Sequence, residues 1–235
     1  MTTQNIINTQ LSGATGSGNF VGSTSPTIVT PLISYANNGS IKDTNGNQIL
    51  LFTVESSAVN YVTITNNTTG NTPQIAAVGT DTNITLRLLG QGTGGVLLTG
   101  TTTNDDAPAR YVGEFISSVI ASGSSTTMTS NASTDLTSIN LTAGDWDTWG
   151  NITWLTLGTV PTSIDGWISS ASATLPDPSL RVQLAISGLG ANSGFTVPMK
   201  RFSLNTTTTI YISGNLTNTS GNGTACGGIY ARRVR

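Results

Sequence analysis

Apolar residues in this chain come in short bursts, and turn-forming residues separate the bursts. "IKDTNGNQILLFTV" (Ile41–Val54) has two apolar runs around Asn45-Gly46, the strongest short hairpin signal. "NYVTITNNTTGNTPQIAAVG" (Asn60–Gly79) sets a strand-like stretch at Tyr61–Thr65 before the turn cluster Asn66–Asn71. "TDTNITLRLLGQGTGGVLLTG" (Thr80–Gly100) reads as two short strands around a Gly-rich turn. Alternation there places Ile84, Leu86 and Leu88 on one face and Thr85, Arg87 and Leu89 on the other. These units rhyme without a fixed period, so residues 34–106 are a loose array of strands and turns. A lone hairpin is marginal in water. Nothing adjacent in sequence looks able to cover these apolar faces, which points to other copies of the same chain.

The pattern changes after "TTTNDDAPAR" (residues 101–110), where Asp105-Asp106 and Pro108 mark an exposed linker. Beyond it the predicted strands are longer: Tyr111–Ile120, Thr134–Leu141, Asn151–Leu157, Asp165–Ala173, Arg181–Ile186, Thr208–Ser213 and Gly227–Val234. All four tryptophans lie here, at 146, 149, 154 and 167. Many strands with Gly, Pro and Asn turns between them argue for a β-sandwich of jelly-roll type over residues 107–235. Its surface loops are expected at Gly188–Gly194 and Leu216–Gly223, with Gly188, Asn192, Asn218 and Asn222 as the exposed positions. Residues 1–33 hold too few apolar side chains for a core of their own and are expected to be extended, ordered on another component. The expected class is all-β in three parts: residues 1–33, a slender intertwined shaft over 34–106, and a head over 107–235.

Composition narrows the function classes. Charged residues make up 9% of the 235, against about 25% in an average soluble domain. Thr, Ser, Asn and Gly fill their place, and all of them disfavour helix. The net charge is −2, which does not suit a nucleic-acid partner. No apolar run approaches the roughly 20 residues of a membrane span, and "MTTQNIINTQ" lacks the basic and apolar regions of a signal peptide. Histidine is absent and Cys226 is the single cysteine, so a Ser-His-Asp triad is impossible within the chain and no metal site is apparent. No cofactor is expected. "GQGTGG" (residues 90–95) lacks the Lys-Ser/Thr and the helix of a phosphate loop.

The most chemical-looking stretch is "GDWDTWGNITW" (residues 144–154). On a strand, Asp145 and Asp147 project from one face, where a carboxylate pair could share a cation or do acid–base work. A structural, edge-protecting role is the expected one. Trp146 and Trp154 share one strand parity, expected in core or at a subunit contact, and Trp149 takes the other. The terminal "RRVR" is expected to place Arg233 and Arg235 on one side of a strand and Arg232 on the other, as a solvated edge or an interchain ion pair.

Several segments resemble bacteriophage fibre proteins: "GATGSGNFVGSTSPTIVTP" (13–31), the module "DTNGNQILLFTVESSAVNYVTITNNTTGNTPQIAAVGTDTNITLRLLGQGTGGV" (43–96), and a fibre-tip domain carrying "LTAGDWDTWGNITW" (141–154) and "GIYARRVR" (228–235). The resemblance implies a homotrimer in the virion, made in a bacterial cytoplasm. The N-terminal segment would dock on another virion structural protein. A β-sandwich head would point outward toward host-surface glycan or protein. The trimer number comes from this resemblance. Alternatives are a capsid-anchored head fibre or decoration protein and, further off, a tail-spike-like polysaccharide depolymerase. The expectation is a structural protein rather than an enzyme, with no nucleic-acid or membrane partner and with Ile84, Leu86 and Leu88 packing the shaft.

Overall fold

The computed structural model describes residues 39–53, 55–103, 105–185 and 192–235. The predicted attachment segment 1–33 lies outside them, as does Gly188. Among the described residues the regular secondary structure is nearly all β-strand, with only two three-residue 3-10 turns besides. It divides into two compact units, Met1–Leu98 and Thr99–Arg235, so the first unit ends a few residues before the linker read from sequence.

The described part of the first unit holds two hairpins. In one, β1 (Gly39–Lys42) pairs antiparallel with β2 (Gln48–Phe52). Asp43 makes the turn: its carboxylate accepts from the Asn45 and Asn47 amides at 2.9 and 2.7 Å, and Gly46 takes φ +86°, which glycine adopts without steric cost. In the other, β3 (Asn60–Thr65) pairs with β4 (Gln74–Gly79), and Asn60 Nδ2 donates to Asp81 at 2.6 Å beside its open end. All five β2 residues are exposed, and Ile64 and Ile75 stand in water opposite each other.

Residues 80–98 form no strand, contrary to the sequence pattern. A turn closes at Gln91–Gly94 (Gly94 N–H to Gln91 O, 3.0 Å), but the flanking runs find no edge to hydrogen-bond. Ile84 is half-buried, while Leu86 and Leu88 are exposed. Alternation shows which side chains share a face only once a ladder fixes the backbone, and a single chain supplies no ladder here.

The second unit is a sandwich of two antiparallel sheets. Its strands are β5 (Phe115–Ile120), β6 (Thr126–Met128), β7 (Ser133–Leu141), β8 (Gly144–Thr156), β9 (Thr159–Ser169), β10 (Val182–Ala185), β11 (Ser193–Leu204), β12 (Thr208–Ser220) and β13 (Gly223–Arg233). The sheet orders are β10-β9-β12-β7 and β11-β8-β13-β5, with β6 adding to β13. If β5 and β7–β13 are counted as strands one to eight, these orders read 2-7-4-5 and 1-8-3-6. Two nested Greek keys give this order, so the head is a jelly roll. β6 and β11 escaped the sequence reading. β6 is only three residues long, and β11 carries Pro198, Lys200 and Arg201 in a run that does not alternate cleanly.

One core lies between the sheets. Trp146, Ile152 and Trp154 of β8, Ile164 and Ile168 of β9, Ile210, Ile212 and Leu216 of β12 and Ile229 of β13 are all buried in it. Small residues let the sheets approach: a Cβ on Gly166 would stand 2.5 Å from the Phe195 ring, and one on Gly150 would stand 2.5 Å from Ile212 Cδ1. Every member of the core cluster lies between Ile116 and Ala231, so the head needs nothing from the first unit to fold.

The ends of the head chain are pinned together by Arg233. Its Nε lies 2.8 Å from Glu114 Oε2, with both side chains nearly inaccessible, and its guanidinium lies 4.3 Å over the Trp146 ring. Its Nη1 donates to Ala143 O at 2.9 Å. The backbones add to this: Gly113 N–H donates to Arg233 O, and Arg233 N–H donates to Glu114 O. Arg235, by contrast, is exposed and pairs with Asp145 at 2.8 Å. The expectation that Arg233 and Arg235 share one solvated or interchain side is therefore corrected. The first is interior and both are paired within the chain, because β13 is a central strand rather than an edge.

Arg233→Leu, which leaves Glu114 buried without a counter-charge, is expected to cost about 3–5 kcal/mol of stability in residues 107–235. Arg235→Leu leaves Asp145 with Arg201 and should cost about 1 kcal/mol or less. Urea unfolding of the two variants compares them directly, and equal losses would mean the buried pair is not what holds the seam.

Candidate functional site

Strand β8 decides what the "GDWDTWGNITW" stretch can do. Trp146, Thr148, Gly150, Ile152 and Trp154 point inward, so Asp145, Asp147 and Trp149 emerge on the outer face of the five-stranded sheet. The two aspartates share a face as the sequence predicts, but they do not act as a free pair. Asp145 is buried between Arg201 at 2.9 Å and Arg235 at 2.8 Å. The Ser203 hydroxyl, then the two guanidiniums, hold its carboxyl below the ordinary value of 3.8. A carboxylate already neutralised by two cations is a poor cation ligand and a poor base. Asp147 is partly exposed and makes no ion pair. Among the described residues no group of three or more His, Cys, Asp or Glu side chains converges on a metal-sized space, and no helix is long and apolar enough to cross a membrane.

Beside these aspartates stands an aromatic cluster. Phe115 of β5, Tyr230 of β13 and Trp149 of β8 place their ring centroids 6.1–6.3 Å apart in every pairing. Trp149 is directly opposite Tyr230 in the ladder. Phe115 is exposed and the other two are half-buried. Arg232, between Phe115 and Asp147 in register, is exposed and unpaired. Cys226 lies further along the same face, half-buried and free. Sequence reading placed Trp149 on this side of β8. It could not place Phe115 and Tyr230 beside it, because their meeting depends on ladders between strands over 80 residues apart.

The outer face of the other sheet is closed by its own chain. Residues 170–181, between β9 and β10, cross it. Ser172 Oγ and Ala173 N–H donate to Asp135 at 2.6 and 2.8 Å, and Ser213 Oγ donates to the same carboxylate at 2.6 Å. Arg181 reaches Asp165 at 3.1 Å. Burial pushes the Asp165 carboxyl above its ordinary value, with Arg181 pulling the other way. Trp167, opposite Ser213 in the ladder, is fully buried although it points away from the core. Where this crossing segment meets β11, an open cavity of about 240 Å³ is lined by Leu180, Val182, Val197, Pro198 and Met199, with Arg181 and Lys200 at its wall. Lys200 Nζ donates to Ile168 O at 3.1 Å and lies over Phe202.

The expected surface loops divide. Asn192, at φ +68°, and Asn222 are exposed in turns. Asn218 is not a loop residue: β12 runs through Leu216–Ser220, and Asn218 is buried. Its Nδ2 donates to Leu157 O and Gly221 O at 3.0 and 2.7 Å, its N–H donates to Asn131 Oδ1 at 3.1 Å, and it accepts from Ser130 Oγ. An asparagine in an Asn/Thr-rich stretch looks like a turn, yet here it satisfies backbone groups at the end of the sandwich.

No family model matches the chain, and no curated protein does. Among solved structures, infectious bursal disease virus VP2 in its subviral particle is similar at 14% identity and a TM-score of 0.28, over 51% of this chain and 30% of that one. The structure of the Gx strain of that virus gives 14% identity and a TM-score of 0.34, over 84% of this chain and 66% of that one. The chain thus spans about a third of the first of these, and at such scores the likeness carries no functional weight.

Because its folded carboxyl titrates below the ordinary value, Asp145 contributes stability that is complete above the unfolded carboxylate range and is lost as the pH falls through its folded pKa. Asp145→Asn should therefore flatten the loss of stability on acidification below the ordinary value of 3.8. Thermal unfolding from neutral pH into that range measures it, and parallel wild-type and variant curves would refute the assignment.

Proposed function

We propose that this protein is a structural fibre of a bacteriophage virion. It assembles as a homotrimer, is attached through residues 1–33 to another virion protein, and displays the jelly-roll head to host-surface glycan or protein. The observation that carries this reading is the contrast between the two units. The head closes its own core. In the described part of the first unit most large apolar side chains of two lone hairpins, and those of residues 86–98, stand in water, with Leu97 at 92% of its full exposure. An apolar surface of this extent in an unpaired segment marks a binding face, and other copies of the same chain are the simplest cover, in closed symmetry. At about 25 cal/mol per Å², residues such as Ile84, Leu86 and Leu88 can hold a slender shaft together.

The engagement of Asp145 by two arginines supports a structural role over a depolymerase. Host contact at the exposed turns is supported by the way a rigid sandwich carries loops that vary without disturbing the core. Three linked copies would raise weak single contacts by about 10²–10⁴ in avidity. If a head-specific antibody labels the capsid of intact particles rather than the tail, the protein is a capsid-anchored head fibre or decoration protein instead.

The full chain is expected to sediment as a trimer at micromolar concentration, and Leu86→Asp is expected to weaken it, since a charge would enter a packed apolar face. A folded monomer in sedimentation equilibrium overturns the fibre reading.

A further inference from the structure

We propose that the outer face of the β5–β13–β8 sheet is where the heads of neighbouring copies meet. The inference rests on the self-association proposed above and locates it in the head. In a chain with only 6% aromatic residues, three aromatic side chains converge on one spot of one face, at 6.1–6.3 Å. Exposed Val119 continues the apolar surface on one side, and Tyr111 and Val112, exposed just before β5, adjoin it in sequence. Trp and Tyr dominate the energetic centres of protein interfaces. Trp149 and Tyr230 are already partly covered by their neighbours, so the three rings form the apolar centre of such an interface and the surrounding sheet face supplies most of its area.

The charges beside the cluster point to a second copy of this chain as the occupant. Asp147 and Arg232 stand on the same face, opposite each other in register, and neither makes an ion pair among the described residues. Every other aspartate and arginine of this face is used: Asp145 takes Arg201 and Arg235. A face with one free anion and one free cation beside an apolar centre is self-complementary, because a rotated copy brings its Arg232 to this Asp147. The face is a flat sheet with rings packed on one another, whereas a small ligand is held in a concavity. The opposite sheet cannot serve in the same way, since residues 170–181 already cross it.

Residues 107–235, which contain the whole core, are compared with the full chain by sedimentation equilibrium. The fragment is expected to self-associate. Trp149→Glu and Val119→Glu should weaken its association by about tenfold or more, a desolvated charge costing at least 1.4 kcal/mol. Ser138→Glu, on the outer face of the other sheet, should leave it unchanged. If circular dichroism shows that Trp149→Glu has not folded, exposed Val119 carries the test. Asp147→Arg and Arg232→Asp should each associate weakly alone, and mixing them should restore association between unlike chains. A fragment that stays monomeric while the full chain is trimeric, a Val119→Glu variant that associates like the wild type, or a mixture that restores nothing overturns the interface and leaves the shaft-based assembly standing. A monomeric full chain overturns the self-association itself.

Discussion

Two sheets stay stacked only when both inner faces are covered, and the architecture of residues 99–235 follows from meeting that requirement within one chain. The inward parity of β8 supplies Trp146, Ile152 and Trp154, and β12 answers with Ile210, Ile212 and Leu216. The open end, where the chain enters before β5 and leaves after β13, is closed by Arg233 between Glu114 and the Trp146 ring. A guanidinium suits that place because its planar fork can satisfy a carboxylate and a backbone carbonyl while its face lies on an indole. The first unit has no such closure among its described residues, and its hairpins leave their apolar side chains exposed.

With charge this scarce, several of the acidic groups have an identifiable job. Asp43 builds a turn, Asp135 anchors the segment that crosses one sheet, Asp145 gathers two arginines at the end of β8, and Asp165 holds Arg181. Most remaining polar contacts are made by Thr, Ser and Asn, as in the Asn218 network that ties β12 to Ser130 and Asn131. Such a surface presents neutral hydroxyls and amides to its surroundings. Against that background, the unpaired Asp147 and Arg232 beside three clustered rings stand apart from the rest of the head.

The sequence by itself determined the all-β class, the break between a core-poor and a core-rich part, the Asn45-Gly46 hairpin, and the shared strand parity of Trp146 and Trp154. Each depends on local propensity or on the two-residue period of a strand, and both are written in the order of residues. Only the tertiary structure decided that Thr80–Leu98 finds no ladder in one chain, that Asn218 is an interior hydrogen-bonding residue, that Asp145 is consumed by ion pairs, and that Phe115, Tyr230 and Trp149 meet. These depend on which strand lies beside which. In this jelly roll the last strand lies between two early ones, as β5 and β8 flank β13. No pattern within a short window carries that pairing, because the topology rather than the local alternation selects it.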